Sequence, residues 1–189
     1  MNHIFILLGS SGVGKSTVQE SLLAEKDLGL LRAITTTTRA PRPGDVEGEN
    51  FYFVTPEVFT EMIKDNAFVE CVETFGRSYG TTHKELDGKL AQAPVLITTD
   101  MRGARSIKSL YPNTHIIYLD APREDLVRRI EERPGTTPED MERRIKRMDE
   151  EKAGAHEADI IFQNPDGQFE ETLAQVRSFI SQQLNSSVH

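Results

Sequence analysis

The sequence contains a single cysteine, Cys71, in 189 residues. One thiol excludes an intrachain disulfide and a cysteine metal site, and it fits a reducing, intracellular compartment; Cys71 itself reads as a small half-buried side chain. Long apolar runs are also missing. The first, at 4–8, has no basic segment before it and does not read as a secretory leader, and nothing approaches the roughly 20 apolar residues that cross a bilayer. No membrane association is expected, and the expected location is the cytoplasm. Positive charge is in deficit as well: 22 Lys and Arg against 30 Asp and Glu give a net charge of −8. That field repels nucleic acid polymers, so any anion binding has to come from local features, such as a dedicated pocket for a small ligand. His3, His83, His115, His156 and His189 lack metal-ligand spacing and read as surface or packing residues. Neither an internal repeat nor a low-complexity tract interrupts the chain.

What is present fits one compact domain, the hydrophobic fraction of 37% being enough for one core. Five short runs rich in Ile, Leu or Val lie at 4–8, 31–34, 94–98, 115–119 and 159–162. Most lack alternation, which suits strands buried on both faces of a parallel sheet. Helical patterns fall at 16–26, 56–66, 125–132, 138–152 and 169–184. Thr137 before Pro138 has the form of an N-cap followed by proline in the first turn, and Pro134-Gly135 separates two charged helices. Strand–helix alternation predicts an α/β fold with a five-stranded parallel core sheet flanked by helices. Residues 35–84 break the alternation and read as an inserted mixed subdomain, with a strand near 50–54. Residues 123–157 read as a second, helical insertion. The core is then 1–34, 85–122 and 158–189.

Gly9-Ser10-Ser11-Gly12-Val13-Gly14-Lys15-Ser16 matches G-x-x-x-x-G-K-[ST], and it sits where that pattern has mechanical meaning, between an apolar run and a helical one. Its glycines turn successive N–H groups toward one concave site, and the helix that opens at Ser16 and Thr17 adds its partial positive charge. Lys15 reaches the β- and γ-phosphates of a nucleotide, and the Ser16 hydroxyl suits Mg²⁺. By itself the loop does not separate a GTPase, an ATPase motor and a small-molecule kinase.

A second block runs Thr35-Thr36-Thr37-Thr38-Arg39-Ala40-Pro41-Arg42-Pro43-Gly44. Two guanidinium forks on a proline-stiffened segment suit a phosphate, although two solvated loop arginines would look the same. With the P-loop, this block and its continuation through Phe51-Tyr52-Phe53-Val54 resemble guanylate kinase. The likeness continues through Phe68-Val69-Glu70, Ser78-Tyr79-Gly80-Thr81, Asp100-Met101-Arg102-Gly103 and Arg129…Arg133…Arg144, and so covers nearly the whole chain.

The resemblance implies ATP and GMP as substrates, Mg²⁺ as cofactor, and a monomer or homodimer. It gives Thr35, Arg39, Arg42, Phe51 and Tyr79 to the GMP side, with Arg39, Arg42 and Tyr79 on its phosphate. Glu70, Thr81 and Asp100 are implied to read the guanine. A carboxylate suits the guanine N1–H and 2-amino edge because it offers two acceptors to two donors, and adenine lacks that pair. Arg129, Arg133 and Arg144 are implied as lid arginines, and Asn164 as a residue near the adenine of ATP. Arg128, Arg143 and Arg147 read instead as surface ion-pair residues. The family usually carries tyrosine at Phe51 and serine at Thr81, and some members carry an acidic residue at Thr98. At Phe51 one hydroxyl to the acceptor phosphate is lost. Tyr52 does not replace it, because strand alternation points it to the other face. Two rival expectations are a related P-loop kinase with another small phosphorylated acceptor, and a non-catalytic guanylate-kinase-like interaction module.

Overall fold

The structure is a computed structural model of the chain that describes residues 2–74, 76–133 and 137–186. Its first sheet is built from β1 (Ile4–Gly9), β2 (Leu31–Arg32), β7 (Val95–Thr98), β8 (Thr114–Asp120) and β9 (Ile160–Gln163), in the spatial order β2-β7-β1-β8-β9. Every pairing in it is parallel. The lack of alternation in β1 has a direct cause, since both faces are covered. Phe5 and Leu7 pack with Val18 and Leu22 of α1 (Lys15–Ala24) and with Val176 and Ile180 of α7 (Phe169–Ser186). Ile4 and Ile6 pack on the opposite side with Leu86 of α3 (His83–Leu90) and with Ala104 and Ile107 of α4 (Met101–Leu110). Each such fully buried aliphatic or aromatic side chain contributes about 1.5–3 kcal/mol.

The second sheet is mixed, in the order β4-β3-β6-β5. Here β3 (Thr35–Thr37) runs parallel to β4 (Phe51–Phe53), while β6 (Arg77–Thr82) is antiparallel to β3 and to β5 (Phe68–Thr74). A register shift between Phe68 and Glu70 adds one residue to β5. Bulges of this kind re-aim side chains. Val69 thereby joins the core cluster that holds Ile97, while its neighbour Glu70 is also buried. Cys71 is exposed on this edge strand, not half-buried as its composition-based reading expected.

Several expected elements are present with shifted ends. α1 begins at Lys15 and stops at Ala24, and β2 keeps only two residues of the run at 31–34. α2 (Pro56–Lys64) is capped at its N-terminus by Thr55, α5 spans Arg123–Glu131, and α6 spans Pro138–Ala153. The Thr137 side chain accepts from the N–H of Asp140 at 3.2 Å, so the expected cap is formed. The expected break at Pro134-Gly135 lies outside the described residues. Helices α3 and α4 had no counterpart among the helical patterns. His3 and His115 are packing residues: their rings stack at 5.1 Å, and His115 stacks on Phe5. Among the described residues, no helix is long and apolar enough to cross a membrane.

Candidate active site

The carboxyl end of β1, with neighbours of the sheet on both sides, is where open α/β sheets leave a crevice for ligands. The loop that leaves it here requires glycine. Gly9 has φ +139°, and a Cβ there would lie 2.3 Å from the carbonyl oxygen of Leu119. Gly14 has φ +98°, and a Cβ there would meet the Asn164 amide at 2.9 Å. Gly14 also serves as the N-cap of α1 without any side-chain cap, which leaves the first N–H groups of the helix facing the crevice. The Lys15 ammonium folds over the loop, donating to the carbonyl oxygens of Gly9 at 2.5 Å and Ser10 at 3.1 Å. Burial pushes its pKa down to about 8; Glu151 opposes this, and Arg133, Arg144 and Arg147 reinforce it. Ser11, Gly12, Gly14, Lys15, Ser16 and Thr17 line a cavity of about 490 Å³. Ser10 and Val13 are buried beneath it.

The opposite wall of this cavity comes from α5 and α6, with Arg129, Arg133, Arg144, Arg147 and Glu151. Arg129 donates to Asp166 at 2.8 Å and to the carbonyl oxygens of Asn164 at 3.0 Å and Gly12 at 3.4 Å. Arg144 donates to the Ser11 hydroxyl at 2.8 Å. Burial lowers its pKa, and so do the charges of Arg133 and Arg42. Glu151 accepts from the Ser11 N–H at 3.2 Å and pairs with Arg147 at 3.3 Å. Burial pushes the Glu151 carboxyl up, while Lys15, Arg147 and the Ser11 N–H pull it back. A carboxylate of the chain thus sits in a cradle shaped for anions. Arg144, Arg147 and Glu151 recur at the spacing of one helical face, which lays this face of α6 across the loop.

The second group of side chains gathers on one face of the mixed sheet. The register pairs Thr35 with Phe51, Thr37 with both Phe53 and Tyr79, and Glu70 with Thr81. Arg39 is buried, and its guanidinium stands 5.0 Å from the Phe51 ring centre and 5.5 Å from that of Phe53. Its partner is Asp45 at 2.8 Å. The Asp45 carboxylate also accepts from the backbone N–H of Arg42, and that bond, ahead of Arg39, holds it below the usual carboxylate range. Arg42 itself is exposed. Phe51 and Tyr79 meet edge to face at 6.2 Å. Tyr52 points to the other face, as alternation requires, and donates to Glu85 at 3.2 Å.

Glu70 is 5% exposed. It accepts from the Thr81 hydroxyl at 2.8 Å and from the Thr99 hydroxyl at 3.1 Å. Burial pushes its pKa up, the two hydroxyls pull it down, and the charge of Asp100 adds a smaller upward push. Asp100 caps α4 by accepting from the N–H groups of Arg102 and Gly103 at 2.9 and 3.1 Å. Its other oxygen pairs with Arg102 at 2.8 Å and lies 3.6 Å from Arg147.

The two groups approach each other. Thr74, at the tip of β5, lines the loop cavity. Arg147 reaches both Asp100, beside Glu70, and Glu151, over the loop. Arg147 is therefore not the solvated surface residue the sequence suggested, because the fold brings its face of α6 onto the crevice. Arg128 and Arg143 do have that character: Arg128 pairs with Asp125 at 3.2 Å and Arg143 pairs with Asp140. Asn164 is 3% exposed, and its amide donates to the Val13 carbonyl oxygen at 2.8 Å. This side chain braces the loop from behind. Glu151 and Thr99 carried no motif that could have marked them; only the acid at i+4 from Arg147 was a signal, and it equally describes a surface ion pair.

Comparison with known proteins agrees with this geometry. A family model described as guanylate kinase matches residues 1–183. The guanylate kinase of Shewanella sp. (strain MR-7) is 35% identical over 192 residues, covering 99% of this chain and 92% of that protein. That of Mycobacterium sp. (strain MCS) is 38% identical over 168 residues, covering 87% and 84%. The crystal structure of guanylate kinase from Anaplasma phagocytophilum superposes with a TM-score of 0.75 at 26% identity, covering 96% of this chain and 85% of that one. The chain belongs to the guanylate kinase family.

Proposed function

We propose that this chain transfers the γ-phosphoryl group of ATP to GMP, giving ADP and GDP, within purine nucleotide metabolism of the cytoplasm. The observation that carries the reading is Glu70, a buried carboxylate with a hydroxyl donor on each oxygen, on the sheet face that also holds Arg39 and Tyr79. An acceptor with no base edge would leave that carboxylate buried for nothing, which disfavours a kinase for a simple sugar phosphate. The intact Lys15 cradle disfavours a non-catalytic interaction module.

Arg39, Arg42 and Tyr79 bind and orient the acceptor phosphate, with Thr35 on the same GMP side, and Asp45 gives up Arg39 to it. Glu70 takes the guanine N1–H and 2-amino group, with Thr81 and Asp100 beside it. The loop N–H groups and Lys15 hold the β- and γ-phosphates of ATP. Arg129, Arg133 and Arg144 neutralise charge that shifts toward the β–γ bridge as an acceptor oxygen attacks in line. A monophosphate dianion is already a nucleophile near neutral pH, so no strong general base is needed. Ser16 is exposed in the first turn of α1 and lines the cavity, offering one hydroxyl oxygen. That fits Mg²⁺, which takes one or two protein oxygens and fills its other positions with phosphate and water. When bound, the ion supplies charge neutralisation across the β- and γ-phosphates. Residues 35–84 and 123–157 act as the acceptor-binding insert and the lid, closing over the core to exclude water. An enzyme-linked ADP-release assay with GMP, dGMP, AMP, UMP and IMP tests this. GMP and dGMP should be turned over well, and AMP and UMP hardly at all. Equal rates on AMP, or none on GMP, would refute it.

A further inference from the structure

Glu70 is held from two sides by hydroxyls of different origin. Thr81 comes from the mixed sheet, whereas Thr99 comes from the turn between β7 of the parallel sheet and α4. Next to both lies Gly103, in the first turn of α4. A Cβ at that position would stand 2.3 Å from the Thr99 hydroxyl oxygen and 2.7 Å from Glu70 Oε2. No side chain fits there unless the Thr99 hydroxyl and the carboxylate both give way.

We propose that Thr99 is a positioning residue for guanine recognition: together with Thr81, and through the notch left by Gly103, it fixes the plane of the Glu70 carboxylate. The inference rests on Glu70 as the base reader and deepens that role. A carboxylate has about four acceptor sites. The two hydroxyls occupy one on each oxygen and leave one on each for the two guanine donors. With Thr81 alone, the last side-chain torsion of Glu70 would be broad, because torsions of this kind have no sharp staggered wells. Part of the binding free energy would then go into ordering it. Two hydrogen bonds also offset the cost of burying the charge. Asp100 works the other way, being a like charge close to Glu70, and Arg147 partly balances it. Thr99 thus ties the base-reading sheet to the sheet that carries the phosphate loop.

The test is steady-state kinetics for Thr99→Val, Thr99→Ser and Glu70→Gln beside the unaltered protein. Valine keeps the shape and removes the donor, so kcat/KM for GMP should fall about tenfold, through KM, as expected for one hydrogen bond to a charged group. The KM for ATP should stay within about twofold, and serine should restore most of the loss. Gly103→Ala, whose Cβ would push on both the Thr99 hydroxyl and the Glu70 carboxylate, should depress GMP use at least as much. An unchanged GMP KM in Thr99→Val overturns the proposal. So does a serine variant as poor as the valine one, since packing of the methyl group would then be the cause. If Glu70→Gln keeps full GMP activity, the base-reading role itself fails. If Glu70→Gln loses GMP while Thr99→Val does not, only the role of Thr99 fails.

Discussion

Phe51 shows what a single atom can mean in this site. Its ring lies beneath the Arg39 guanidinium and edge-on to Tyr79, so it packs the arginine that is proposed to grip the acceptor phosphate. Phe51→Tyr would add a hydroxyl on that face. A hydrogen bond to a charged group is worth about 1.5–3 kcal/mol at most, so the KM for GMP should drop about tenfold, which acceptor titration at saturating ATP would read. Lys15 sets a pH limit. With its pKa pushed down to about 8 it carries charge below that value and loses it above. kcat/KM for ATP, which reports the free enzyme, should therefore fall as pH rises through about 8. Glu70 acts in the opposite direction: its raised pKa means that protonation, and loss of GMP use, sets in at a higher pH than for an ordinary glutamate. Lys15 was legible from the chemistry of its own loop motif, whereas Arg39, Glu70 and Thr81 were marked through the family resemblance. Thr99 was not, because its role depends on a strand of another sheet arriving beside it.

Among the elements, α6 was read as a helix, as it is, with Arg144 toward the phosphate loop; Arg147 alone was read as a surface residue where it lines the cavity. Its start was legible from Thr137 and Pro138, and capping depends only on neighbours in sequence. Thr137→Ala should cost about 1 kcal/mol and lower the melting temperature by about 2–4 °C in a thermal scan. Which of its arginines meets the nucleotide depends on how the helix lies across the phosphate loop, which charge pattern does not encode. Arg147 spans Asp100 and Glu151 and should matter to turnover. Arg147→Ala is expected to lower kcat about tenfold or more, against no change for Arg143→Ala on the outer surface. Helices α3 and α4 escaped the sequence for a different reason. Each is short, carries an internal glycine, and buries few apolar side chains: Leu86 in α3, and Ala104 and Ile107 in α4. Both are only two to three turns long, and their stability comes from packing on a sheet already in place, so neither offers a long apolar stripe to read.

At the scale of the whole molecule, the architecture follows from a parallel sheet whose three inner strands, β7, β1 and β8, are apolar on both faces, with the mixed sheet and helices α5 and α6 beside the phosphate loop. That plan was legible because periodicity and run length report burial on one or two faces. The contacts across the crevice were not, since no local pattern brings Thr74 to the phosphate cavity or Arg147 to Asp100. Each of the two regions proposed to bind phosphate holds a carboxylate of the chain itself, Asp45 on Arg39 and Glu151 on the loop, so substrate binding is expected to exchange one anion for another in both. The central claim is that one pocket holds a triphosphate while a buried carboxylate selects the purine in the other. The most direct measurement is the ratio of kcat/KM for GMP to that for AMP, in the unaltered protein and in Glu70→Gln, with the KM for ATP recorded for both. The account predicts that the ratio collapses by about 10²-fold or more in the variant while the KM for ATP stays within about twofold. A ratio unchanged by the substitution would contradict it.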